Sequence, residues 1–138
     1  MKTFLLPPED AGPADDLSGA DIESEKPEDE SQSILPCVLV FNASDPSGAG
    51  GLACDALAIA SVGAHMLPVV TGAYARDTAE IFDHFPFDEE AVAEQTRTIL
   101  EDVEVQLIKI GFAGSPENLS EIAETASDYP EVPVVAYM

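Results

Sequence analysis

The stretch densest in chemistry is Asn42-Ala43-Ser44-Asp45-Pro46-Ser47-Gly48-Ala49-Gly50-Gly51, which sets a carboxylate, an amide and hydroxyls among glycines. Glycine reaches positive φ and lets a ligand approach the main chain closely. A loop of this kind between a strand and a helix can aim free N–H groups at an anion. Asp45 and Ser44 can equally cap the turn or hold a ligand hydroxyl, and a tight turn without any ligand stays open beside both. No Gly-Lys-Ser/Thr follows, so the loop is not a P-loop, and it does not read G-x-G-x-x-G either.

Few other residues invite chemistry. Arg76 is one of only five basic residues in the chain and follows a predicted strand, where a ligand contact and a structural ion pair are equally open. Lys109 interrupts an apolar run and can pair with an acid near a pocket or at a sheet edge. His65 and His84 are far apart with no second ligand at metal spacing, so packing or surface roles are expected. Ser47 has no His–Asp partner that the sequence implies, which argues against a nucleophile. Cys37 and Cys54 show no metal spacing and do not make a disulfide framework, so a reducing cytoplasm is the default setting.

The elements that position these residues follow from hydrophobic period and punctuation. Leu35–Phe41 is an almost unbroken apolar run, as expected of a strand buried on both faces. The glycine loop leads into a helix over 52–62 that Gly63 terminates. A second strand is expected over 67–71, with Tyr74-Ala75-Arg76-Asp77-Thr78 beyond its carboxyl end, the edge where open parallel sheets hold ligands. Residues 81–87 are ambiguous, a short strand or an extended crossing segment. Asp88 caps a helix of about fourteen residues with Glu89 and Glu90 in its first turn and Val92, Ile99, Leu100 and Val103 inward. A third main strand runs over 105–110. Ser115-Pro116 opens another helix with Leu119, Ile122, Ala123 and Ala126 inward, and Tyr129-Pro130 stops it. A fourth apolar strand, 132–138, should be covered by helices on both faces.

The whole is an α/β, doubly wound, mainly parallel sheet. It is apparently truncated after the fourth main strand, the first part of a larger sheet. Residues 1–33 carry ten acids, two lysines and four prolines without an apolar face. They read as a disordered acidic tail ahead of a domain over 34–138. Over the full 138 residues, 27 acids face 5 bases for a net charge of −22. Such a surface repels nucleic acid and anionic membranes. The apolar start ends at Pro7-Pro8, too short for a signal peptide, and no run is long enough to span a bilayer.

With the loop placed after the first strand, a family resemblance emerges. Ser44-Asp45-Pro46-Ser47-Gly48-Ala49-Gly50-Gly51-Leu52, followed by Asp55, resembles the substrate loop of the hydroxymethylpyrimidine/phosphomethylpyrimidine kinases, thiamine-biosynthesis enzymes of the ribokinase-like superfamily. That family writes S-D-P-S-G-G-A-G, an aliphatic residue, and an Asp three positions on; the second half of the glycine run is permuted here. Val69-Val70-Thr71 matches as well. Ala75-Arg76-Asp77-Thr78 stands where the family has A-Q-N-T, and Lys109-Ile110-Gly111-Phe112 where it has K-I-G-M. The likeness runs over about residues 35–138, in order.

The resemblance implies a kinase that moves phosphate from ATP, with Mg2+, to the hydroxymethyl oxygen of a pyrimidine. It implies a cytoplasmic enzyme without nucleic-acid or membrane partners, and a possible homodimer. Asp45, Gly48 and Gly50 would line the substrate cavity, and Asp55 would accept from the pyrimidine amino group. Arg76 replaces a Gln that hydrogen-bonds the ring; Arg offers donors only, so the exchange bears on which ring is recognised. Phe112 replaces a pocket-lining Met. No metal ligand is implied among these positions. The family's base, an Asp in a G-x-G-D loop, and most of its nucleotide site lie in a C-terminal half without counterpart here. No catalytic residue is therefore assigned, and the chain is expected to be inactive as given. Two alternatives remain: a non-catalytic pyrimidine-binding module, and a pyridoxal-type kinase of the same superfamily.

Overall fold

The computed structural model describes residues 34–137, and the acidic tail expected over 1–33 lies outside them. Eight elements follow in order: β1 (Cys37–Ser44), α1 (Gly51–Ser61), β2 (His65–Arg76), β3 (Ile81–Pro86), α2 (Glu89–Leu100), β4 (Leu107–Ile110), α3 (Pro116–Asp128) and β5 (Val134–Ala136). They form one five-stranded sheet in the order β3-β2-β1-β4-β5. β1 pairs in parallel with β2 and β4, and β4 with β5; β3 alone is antiparallel, against β2. The mostly parallel, two-faced α/β sheet is the expected one.

Alternation along β1 decides the layout. Leu39 and Phe41 point into a core with Leu67 and Val69 of β2, Ile108 and Ile110 of β4, Val92 of α2 and Ile122 of α3. Val38, Val40 and Asn42 point to the other face, where Asn42 donates to Asp55 of α1. The chain leaves β1 toward β2 through α1 and returns to β4 through α2. The carboxyl ends of β1 and β4 therefore flank a topological switch point.

Two expectations need correction. β2 is longer than 67–71: Tyr74-Ala75-Arg76 continue it, pairing with β3 beyond the end of β1. Gly72, just past the expected end, serves there as a close-packed strand residue against Phe85 and Pro86. In α3 the inward stripe is Asn118, Ile122 and Ala126; Leu119 is 41% exposed, and Ala123 also faces out. Asn118 is drawn in because its Nδ2 donates to the Phe87 carbonyl at 3.0 Å. Among the described residues β5 is an edge strand of three residues, with Val134 and Val135 45% and 51% exposed.

The open outer edge of β2 below its β3 partner is closed by a side chain. Gln95 of α2 accepts from Val70 N at 2.9 Å and donates to Val70 O at 3.0 Å, which satisfies both backbone groups. With 27 acids against 5 bases, the surface carries strong self-repulsion. Raising KCl from 0.1 to 1 M shortens the screening length from about 10 to about 3 Å. The melting temperature should rise across that range, and a flat or falling curve would contradict this reading of the surface.

Candidate functional site

The glycine loop closes on its own aspartate. Asp45 is buried, and its Oδ1 accepts from the Ser47 amide at 2.8 Å and the Ser47 hydroxyl at 2.6 Å. Its Oδ2 meets Arg76 Nη1 at 3.4 Å. The Ser47 hydroxyl, with help from the Ser47 amide, Arg76 and the Gly50 amide, holds this carboxyl below its ordinary range despite burial. Of the loop amides that could await an external anion, that of Ser47 is directed at this internal carboxylate, and those of Gly48 and Ala49 at the Asp45 carbonyl and the Ser47 hydroxyl. Gly51 makes this possible: at φ +63°, an added Cβ would sit 2.6 Å from the Ala43 carbonyl and 2.8 Å from Asp45 Cβ. Gly51→Ala is expected to cost about 2 kcal/mol or more in urea unfolding. A fully stable variant would contradict the loop geometry.

Across the cleft floor lies a second charged set. Asp55 of α1 accepts from Lys109 Nζ and from Asn42 Nδ2, both at 2.8 Å. Register explains the meeting: Lys109 is paired beside Val40, and Asn42 follows Val40 by two, so both emerge on the α1 face. Asn42 Oδ1 accepts the amides of Ala43 (2.9 Å) and Phe112 (3.2 Å), which fixes Nδ2 toward Asp55. Gly111 has to be glycine here, since a Cβ would lie 2.6 Å from Asn42 Cγ.

The upper wall is aromatic. Tyr74 and Arg76 share a face of β2, two apart, and Tyr74 packs on Phe112 at 5.0 Å between ring centroids. His84, directly opposite Tyr74 on β3, meets Phe112 edge-on at 5.4 Å. A packing or a surface role is expected of that histidine, and it makes this contact while remaining exposed. Burial, reinforced by the charge of Asp45, pushes the Tyr74 hydroxyl up, so it stays protonated.

These residues enclose a cleft of about 410 Å³ at the switch point. Asp45, Gly50, Asp55, Arg76 and Phe112 all line it; Gly48 does not. The turn in which the Gly48 amide donates to the Asp45 carbonyl carries Gly48 out to the exposed loop tip. Asn42, Cys54, Tyr74, Ile81, Lys109, Gly111 and Tyr137 line the cleft without having been singled out as site residues from sequence. The period of two on each strand carried the signal for Asn42, Tyr74 and Lys109. A groove of about 430 Å³ between α2 and α3 is different in kind: surface acids with Arg97 as its one base, away from the strand ends.

A nucleotide fits these residues poorly. The N-termini of α2 and α3 are capped by Asp88 and Ser115 and carry Glu89, Glu90 and Glu117 in their first turns, which repel phosphate. Arg76 and Lys109 each hold one carboxylate at the cleft, and Arg97 is paired with two glutamates on the exposed surface of α2. Among the described residues no three His, Cys, Asp or Glu side chains converge as metal ligands. No helix there is long and apolar enough to cross a membrane.

Residues 45–136, two thirds of the chain, match the family model for phosphomethylpyrimidine kinase. The chain belongs to that family. It is 30% identical over 99 residues to the hydroxymethylpyrimidine/phosphomethylpyrimidine kinase of Streptomyces coelicolor, covering 70% of this chain and 37% of the relative. The crystal structure of phosphomethylpyrimidine kinase from Clostridium difficile superimposes with a TM-score of 0.67 at 26% identity, over 74% of this chain and 44% of that one. The pyridoxal kinase of Staphylococcus aureus, solved with AMP-PCP and pyridoxal, has a TM-score of 0.66 at 21% identity and shares the fold. The ribokinase-like architecture expected from the motifs is therefore present, and the chain spans less than half of these relatives' length.

Proposed function

We propose that residues 34–138 are the N-terminal, substrate-side part of a ribokinase-like kinase domain, that residues 1–33 are an acidic tail ahead of it, and that the cleft binds a hydroxymethylpyrimidine. The reaction served is transfer of phosphate from ATP, with Mg2+, to the hydroxymethyl oxygen of that ring. The observation that carries this is the convergence of Asp45, Asp55, Arg76 and Lys109 under Phe112 at the switch point of a chain in this family. The aromatic wall would stack the ring, the two ion pairs would fix its polar edge, and the closed loop would keep water out. These residues bind and orient; the phosphate cradle and the base lie elsewhere in the family's pattern, so no transfer step is assigned to them. A cytoplasmic location belongs to the same reading. So does association as a homodimer, supported by the apolar outer strand β3 with Phe82 and Phe85 exposed.

The test is thermal unfolding with and without the aminopyrimidine alcohol. Ligand at about 100 times its dissociation constant stabilises the native state by about 2.7 kcal/mol. A dose-dependent rise in melting temperature is expected, and no shift at saturating ligand would refute the site. Pyridoxal, tested in parallel, separates the pyridoxal-type alternative.

A further inference from the structure

The hydrogen bonds of the cleft are lopsided. Asp45 Oδ1 accepts twice from Ser47 and its Oδ2 faces Arg76. Asp55 Oδ1 is taken by Lys109 and Oδ2 by Asn42. Asn42 Oδ1 accepts two backbone amides. Asp45 Oδ1 and Asn42 Oδ1 thus accept two bonds each, and Asp45 Oδ2 and the two Asp55 oxygens one each, within the protein. The donors have more left to give. Arg76 uses Nε on the Asp77 carbonyl and Nη1 on Asp45, and Nη2 has no partner among the described residues. Lys109 has one acceptor for an ammonium with further N–H groups to give. The Tyr74 hydroxyl keeps its proton and adds another donor. Arg76 and Lys109 are, moreover, two of only five bases in the chain, and both line this one cleft.

We propose that the cleft selects among ring alcohols by hydrogen-bond polarity, and that Arg76 sets the preference. It takes a heteroaromatic ring whose edge toward Arg76 carries an oxo or deprotonated hydroxyl oxygen over the same ring with an amino group there. This rests on the cleft being the ring site. An amide side chain at position 76 would serve either edge, because it offers both a donor and an acceptor. Guanidinium cannot: an amino group facing it sets donor against donor and leaves one of them unpaired. An oxygen accepts from Nη2, and its negative charge, if present, gains further from the fixed cation. The Arg76 side chain is 19% exposed, so water softens the mismatch, and the discrimination should be about ten-fold, not the many thousand-fold of a sealed site.

The test is calorimetric titration of the full 138-residue chain with two ligands, at a pH where both rings are neutral. One is the aminopyrimidine alcohol; the other is its analogue with oxygen in place of the amino group. The wild type should bind the oxo ring about ten-fold more tightly, and R76Q should bring the ratio to within about two-fold. The ratio is taken within one protein, so a loss of stability in R76Q cancels. R97Q, on the far surface of α2, should leave the wild-type ratio intact. Equal binding of the two rings by the wild type, or an unchanged ratio in R76Q, overturns the inference while leaving the ring site standing. Absence of heat with either ring overturns the ring site and the inference together.

Discussion

Asp45→Ala is expected to abolish saturable ring binding and to lower stability by about 3 kcal/mol. The substitution strands the Ser47 amide, the Ser47 hydroxyl and the Arg76 guanidinium, all of which converge on this buried carboxylate. Arg76 then loses the contact that holds it over the cleft. Urea unfolding measures the first effect and calorimetry the second; a variant that binds as the wild type does would show that the loop is not organised by Asp45. The same group shapes the acid limb of the stability curve. Its folded value lies below the ordinary 3.8, so its contribution is complete above that pH and is lost as the pH falls through the lower folded value. Asp45→Ala should therefore flatten the loss of stability below pH 3.8.

Phe41→Ala should cost about 3–5 kcal/mol, a large part of the 5–15 kcal/mol typical of a domain. Phe41 is 1% exposed on the central strand, flanked by Val69 of β2 and Ile110 of β4. Its carbonyl also accepts from Gly111 N at 2.8 Å, which seats the glycine against Asn42. The melting temperature should fall sharply, whereas Leu57→Ala, at a position 76% exposed on α1, should change stability by about 0.5 kcal/mol or less. Comparable losses at the two positions would contradict the placement of the core.

Local chemistry was legible where it is encoded locally. Asp88 and Ser115 cap their helices as the sequence indicates, each accepting an amide three residues on, and Gly63 ends α1 at φ +77°. The apolar run of β1 gave away the central strand. What hid was set by partners far along the chain. Whether Lys109 pairs at an edge or in a pocket depends on its register with Val40, and the identity of its partner, Asp55, is 54 positions away. The continuation of β2 through Arg76 depends on β3 arriving as its antiparallel partner. Composition does not tell that α1, an apolar helix, has no buried residue, with Val62 just beyond its end 79% exposed.

The central claim is that the cleft at the carboxyl ends of β1 and β4 is the ring-binding site. Backbone amide shifts of the isotope-labelled chain, followed while the ring alcohol is added, test it most directly. The account predicts saturable changes concentrated at Gly50, Gly51, Gly111 and Phe112, with the α2–α3 groove around Arg97 and Glu121 silent. Changes centred on that groove, or none at saturating ligand, would contradict it.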